Sequence, residues 1–464
     1  MLFTELRFLF FFAVVFGVHW MLRANGLRKS WLLAASYAFY AAWDWRFLSL
    51  IVGSTVIDYF VGRRLASAST HRRRWLAVSI VANLGVLATF KYFGFFLDSA
   101  VGLLEWLGFT ASRPTLSLIL PVGISFFTFQ TMSYTLDVYR RKLAPVSCFR
   151  DFALFVAFFP QLVAGPIVRA SAFLPQLTSE RRLARVPFRH VIGLFLAGFI
   201  KKVCVADRVA LFVDPVFADP SAFTAGSIQL AVFLYAVQIY CDFSGYTDMA
   251  IATARMLGFR LPRNFNFPYF AANITDFWRR WHMSLSSWLR DYLYISLGGN
   301  RGSRIFTYRN LMLTMLLGGL WHGAGWNFVV WGAIHGGALV VHKEWRRRVP
   351  ALAGPLGAFL GMMLTFQVVC LAWIFFRATS FADAWVLARS YVTFASPGTA
   401  ELDTFGLVWL VPLVLVHAIC ALRSPERLVV RMPDWGLAFA YGAASYAAIL
   451  FVPMSSAPFI YFQF

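Results

Sequence analysis

Residues 311–332 read LMLTMLLGGLWHGAGWNFVVWG. An apolar run ends in His322, which is followed by Gly323 and Gly325 and set among Trp321, Trp326 and Trp331. More apolar residues come after it. A polar group placed where hydrocarbon is expected costs free energy unless something satisfies it. The fold therefore turns on whether this run lies in a membrane.

The rest of the chain answers that. Of its 464 residues 59% are hydrophobic and only 14% charged, with 50 Phe, 17 Trp and 17 Tyr. A soluble protein could not hide so much apolar surface. Apolar runs of roughly 17–25 residues recur, the length that spans a bilayer. The composition predicts an all-α polytopic membrane protein. Its first run, LRFLFFFAVVFGVHWML (6–22), lacks a basic leader and a small-residue cleavage site, and reads as a retained helix rather than a signal peptide. The net charge of +21 is spread over short clusters between apolar runs, with no long basic arm for nucleic acid. That is the positive-inside pattern. The five cysteines lie far apart, and no C-x-x-C or H-E-x-x-H spacing occurs, so neither a disulfide framework nor a metal site is expected.

Placing the basic clusters in the cytoplasm gives a topology. Helices near 31–43 and 47–62 form a hairpin, and helices near 76–98 and 115–137 a second one. The run DFALFVAFFPQLVAGPIV (151–168) has basic clusters on both sides and is broken by Pro160, Gly165 and Pro166; it reads as a re-entrant segment. Crossings follow near 187–213 and 227–257, then a polar stretch (258–304) and a pair of short helices flanking His322. Crossings near 355–376, 404–421 and 436–454 close the chain, leaving both termini outside and a single membrane domain over 1–464.

Candidate chemistry concentrates in 263–301, RNFNFPYFAANITDFWRRWHMSLSSWLRDYLYISLGGNR, where Asp276, Arg279, Arg280, His282, Arg290 and Asp291 alternate with aromatics. If helical, Asp276 and Arg280 are i,i+4 partners, and His282, Ser286 and Leu289 share a face. A plainer reading is an amphipathic helix lying on the membrane surface. His322 likewise has a plain reading, a core histidine bonded to a backbone carbonyl. Against it, ionisable groups inside a membrane are functional candidates by default, and Gly323 and Gly325 would open the backbone to a ligand. His335, 13 residues on, falls off the face of His322 in one continuous helix and reads as structural. No serine or cysteine has a nucleophile motif such as G-x-S-x-G.

FWRRWHMSLSSWLRDYLYISLGGNR (277–301) followed by LWHGAGWNFVVWG (320–332) resembles the signature of the membrane-bound O-acyltransferase (MBOAT) family, and more narrowly that of bacterial alginate O-acetyltransferase membrane subunits. LPVGISFFTFQTMSYTLDVYR (120–140), FFPQLVAGPIVR (158–169) and DFSGYTDMAIATARMLGF (242–259) extend the likeness over nearly the whole chain. The resemblance implies a bundle of about 11–12 transmembrane helices with re-entrant segments enclosing a tunnel. An acyl thioester, acetyl-CoA or an acyl carrier protein, would enter from the cytoplasm, and no bound cofactor is implied. It places His322 as the catalytic general base, with His282 orienting the donor or stabilising the oxyanion. Trp321, Asn327 and Trp331 would support them within a signature region, 263–345. Arg279, Arg280 and Arg290 would line the donor entrance, since guanidinium pairs well with phosphate.

The chain ends MSSAPFIYFQF (454–464). An aromatic belt is one reading. The other is a resemblance to F-x-Y-x-x-F tails of this transport system, in which Phe459, Tyr461 and Phe464 match and Tyr461 would carry the acyl group. The resemblance further implies an inner-membrane location in a bacterium and a periplasmic SGNH-type acetyltransferase partner for O-acetylation of an exported polysaccharide. Two alternatives stay open: D-alanyl or other acyl transfer to another envelope polymer such as teichoic acid, peptidoglycan or cellulose, and a transporter or channel without acyl chemistry.

Overall fold

The structure, a computed structural model, describes residues 1–67, 70–110, 119–162, 165–349, 354–422, 429 and 432–452. It is helical throughout: among the described residues the only extended pairing is an isolated bridge, Phe223 with Ala400. Helices Arg72–Trp106, Ala225–Met256, Gly354–Arg377 and Phe405–Leu422 are long and apolar enough to cross a membrane. The chain groups into two compact units, Met1–Val186 with Thr253–Pro262, and Pro187–Ala252 with Arg263–Phe464.

The first unit contains α1 (Leu6–Met21), α2 (Asn25–Asp44), α3 (Leu48–Ser67), α4 (Arg72–Leu87), α5 (Phe93–Trp106), α6 (Ile124–Tyr139), α7 (Phe149–Ala157), α8 (Phe159–Leu162) and α9 (Ala170–Thr178). A π turn, Ala88–Tyr92, joins α4 and α5 into one long rod, so the first helix of the second expected hairpin extends beyond 76–98. Its partner α6 begins only at Ile124, because Pro121 and the left-handed Gly123 (φ 77°) precede it. Helices α3, α4 and α6 meet at a polar knot. Ser79 Oγ donates to Asp58 Oδ1 (2.5 Å), Asn83 Nδ2 to Asp58 Oδ2 (2.7 Å), and Thr131 Oγ1 to Asn83 Oδ1 (3.1 Å). Without water, polar groups must be satisfied by each other, and this requirement fixes the register of the three helices. The segment expected to be broken is indeed broken, first at Phe158, and it is buried from Phe152 to Leu162.

The second unit contains α10 (Phe188–Phe199), a π turn (Ile200–Ala206), α11 (Asp207–Ala218) and most of α12 (Ala225–Met256). Gly198 and Gly245 let α10 and α12 touch backbone to backbone: a Cβ on Gly198 would sit 2.5 Å from the Gly245 carbonyl. The π turn aims both Lys201 and Lys202 at α12. Lys201 Nζ meets Asp248 at 2.6 Å; Lys202 Nζ meets Asp242 at 2.5 Å and Asp207 at 2.8 Å.

Next come α13 (Ile274–Arg280) and α14 (Met283–Trp288), then a π turn (Leu289–Tyr294). After these stand α15 (Arg304–His322) and α16 (Trp326–Arg348). Contrary to expectation these two are not short, at 19 and 23 residues. Glycine explains how they pack: a Cβ on Gly319 would strike the Phe328 carbonyl, and one on Gly332 the Met315 carbonyl. Finally α17 (Gly354–Arg377), α18 (Phe381–Thr393), α19 (Leu410–Leu422) and α20 (Asp434–Phe451) complete the unit. The hydropathy reading passed over α18, which Ser380 caps by accepting from Asp383 N at 3.0 Å.

Candidate active site

His322 is the last residue of α15. The chain turns through Gly323–Gly325 and re-enters as α16 at Trp326. Gly323 does not open a path for a ligand, as the sequence suggested; at Gly325 a Cβ would only touch the Phe328 ring, at 3.6 Å. A Cβ on Gly323 would collide with the Phe328 ring, so the glycine makes room for that ring. His322 is 3% exposed and enclosed by aromatics: Trp331 at 4.9 Å between centroids, Trp321 at 5.0 Å and Phe376 at 5.3 Å, all edge to face. Asn327 donates from Nδ2 to the Ala378 carbonyl (2.9 Å), tying the start of α16 to the end of α17.

His335 lies on α16, not on the helix of His322, so the angular argument about one continuous segment does not apply. Trp331 packs against both histidines, 4.9 Å from His322 and 4.6 Å from His335. His335 is fully buried beside Phe277 and Trp278.

His282 breaks the helix expected over 274–294. It sits between α13 and α14 in the left-handed region (φ 41°, ψ 53°) and is fully buried. Trp278, Trp281, Leu285 and Trp288 are buried with it, so this stretch is not a helix lying on a membrane surface. The His282 ring packs edge-on against Phe243 (4.7 Å) and stands 6.4 Å from the His322 ring. Lying outside the four long membrane-crossing helices, it has its pKa pushed down to about 3 by burial and is neutral. Two imidazoles at that spacing can engage a single group held between them, one taking a proton from a hydroxyl as it attacks.

Residues 141–382, which contain both histidines, match the model of the MBOAT, membrane-bound O-acyltransferase family. The chain belongs to that family. It is an O-acyltransferase and a membrane protein. Of its relatives, the "Probable alginate O-acetylase AlgI" of Pseudomonas aeruginosa is 43% identical over 427 residues, covering 91% of this chain and 81% of that protein. The peptidoglycan O-acetyltransferase of Helicobacter pylori is 40% identical over 393 residues, 78% of this chain and 73% of that one. The teichoic acid D-alanyltransferase of Streptococcus thermophilus is 27% identical over 288 residues, 56% of this chain and 69% of that one.

The other candidate residues of this MBOAT chain fall unevenly. Trp321 and Trp331 flank His322. Arg280 forms the expected pair with Asp276 (2.9 Å), and Arg290 pairs with its neighbour Asp291 (2.7 Å). Arg279 is exposed and, among the described residues, is not in an ion pair with a carboxylate. Tyr461, Phe459 and Phe464 lie outside the described residues. Among the described residues no cluster of His, Cys, Asp and Glu could hold a metal ion.

Sequence reasoning missed two features. Lys202 is 2% exposed with two carboxylates on it, and its signal was a lysine pair inside an apolar run. Asn264 bonds His282, 18 residues away; nothing in RNFNFPYF marks it, because only the kink at His282 brings the two together.

Proposed function

We propose that this chain moves an acetyl group from a cytoplasmic thioester, acetyl-CoA or an acyl carrier protein, toward an exported, alginate-like polysaccharide, in the inner membrane of a bacterium. The observation that carries the reading is the pair of buried imidazoles, 6.4 Å apart, inside an aromatic cage within the family-matched segment. The imidazole of His322 takes the proton of the attacking hydroxyl while its oxygen bonds to the thioester carbonyl carbon. The carbon–sulfur bond then breaks, and the thiolate takes the proton back from the imidazolium. Trp321, Trp331 and Phe376 keep water from competing for the donor.

In the simplest sequence the first attacking hydroxyl is the Tyr461 phenol. This yields an aryl ester and free thiol; a periplasmic SGNH-type transferase then passes the acetyl group to a polymer hydroxyl and restores the phenol. Acetyl is favoured over D-alanyl because the relative named for alginate is the more similar, at 43% against 27% identity.

Purified protein given acetyl-CoA or acetylated carrier protein, with a soluble acceptor, tests the reading by thiol release. Release that His322→Ala reduces on the order of 10²–10⁴-fold is expected. Absence of release with either donor, alongside transport of an intact solute, would make the chain a transporter.

A further inference from the structure

The kink at His282 is held from both sides by one short segment. Asn266 N–H donates to the Arg280 carbonyl (2.9 Å) on one side; Met283 N–H donates to the Asn264 carbonyl (2.8 Å) on the other. The left-handed region is unfavourable for a histidine, so these bonds hold it there against its preference. The Asn264 side chain adds a third tie. Its Oδ1 accepts from Ser284 N (3.2 Å), from Ser284 Oγ (2.8 Å), and faces His282 Nδ1 at 3.1 Å. Asn264 is itself fully buried, and its Nδ2 lies 3.5 Å from Thr247 Oγ1.

That arrangement fixes a proton. A backbone N–H can only donate, so the Asn264 atom facing Ser284 N is the oxygen and not the amide nitrogen. An amide oxygen can only accept, so the His282 nitrogen facing it carries the hydrogen. In a neutral imidazole the other nitrogen is then bare. His282 Nε2 is buried and, among the described residues, has no hydrogen-bond partner. A buried acceptor left so is costly unless a ligand supplies the donor.

We propose that Asn264 is a positioning residue that holds His282 in the Nδ1–H form, leaving Nε2 as a hydrogen-bond acceptor that orients a substrate hydroxyl. His282 therefore does not stabilise an oxyanion, which would need an N–H at Nε2. The inference rests on the acyl-transfer reading for the identity of the donor hydroxyl, but the tautomer itself does not depend on that reading.

The test joins a spectroscopic and a kinetic readout on the full chain in detergent. With ¹⁵N-histidine labelling and His282→Gln to assign the signal, wild-type His282 is expected to show Nδ1 protonated and Nε2 unprotonated at neutral pH. Asn264→Asp keeps an acceptor at this position, whereas Asn264→Leu keeps the size and removes it. Leu is expected to lose the fixed tautomer and to lower kcat about 100-fold with little change in donor KM, and Asp to recover most of that loss. If Leu does not fold, the wild-type spectrum and the Asp variant still decide. Protonated Nε2 in the wild type, or Leu as active as Asp, overturns the proposal. A wild-type chain with the expected tautomer but no acyl transfer overturns the functional reading and leaves the tautomer standing.

Discussion

His322 and His282 are both buried and both ringed by aromatics, yet they are held in different ways. His322 takes its place from a helix end and three aromatic edges; His282 takes its place from a strained backbone and an amide. His322→Ala is therefore expected to abolish polymer acetylation with expression and insertion intact, as read by acetyl content of the product. His282→Ala is expected to leave a residual rate, since it removes an acceptor and not the proposed base. More than half of wild-type acetylation in His322→Ala would reassign the base. Tyr461→Phe removes one hydroxyl and keeps the ring, so it separates acyl carriage from aromatic anchoring. It is expected to stop polymer acetylation at unchanged protein level, and intact-mass analysis with donor is expected to find an acyl adduct on the wild-type C-terminal peptide. An active Tyr461→Phe protein would leave direct transfer to the acceptor.

Between α10 and α12, two glycines bring backbones together and a π turn turns two lysines to one side. Removing Lys202 alone leaves Asp207 and Asp242 buried and repelling each other, whereas in the intact triad the Lys202 ammonium meets both. Breaking a buried pair from one side costs about 3–5 kcal/mol, while replacing all the charges together is often neutral. Lys202→Met is thus expected to lower the unfolding temperature sharply, and adding Asp207→Asn and Asp242→Asn is expected to restore most of it. Equal stability of the single and triple variants would mean that the ion triad does not hold these elements together. The helical character of these segments was legible from their apolar length. The π turns were not, because a one-residue widening leaves no mark on hydropathy.

Across the whole molecule, the arginines expected at a donor entrance are divided by their partners. Arg280 and Arg290 already face carboxylates, and among the described residues Arg279 does not. Neutralising Arg279 is expected to raise donor KM several-fold at constant kcat, and neutralising Arg280 or Arg290 to act more weakly, as their charge is partly compensated. Initial rates against acetyl-CoA concentration measure this; an unchanged KM in Arg279→Gln places the entrance elsewhere. By itself the sequence determined that the chain is an all-helical membrane protein, that its polar stretch lies within 258–304, and that His282 and His322 belong together, because length, hydropathy and motif are local properties. Only the tertiary structure decided that His335 stands on a different helix from His322, that Gly323 admits a phenyl ring, and that Asn264 sets the proton of His282. Each of these depends on which backbones come close, and hydrocarbon patterning constrains which face is buried without fixing what it meets there.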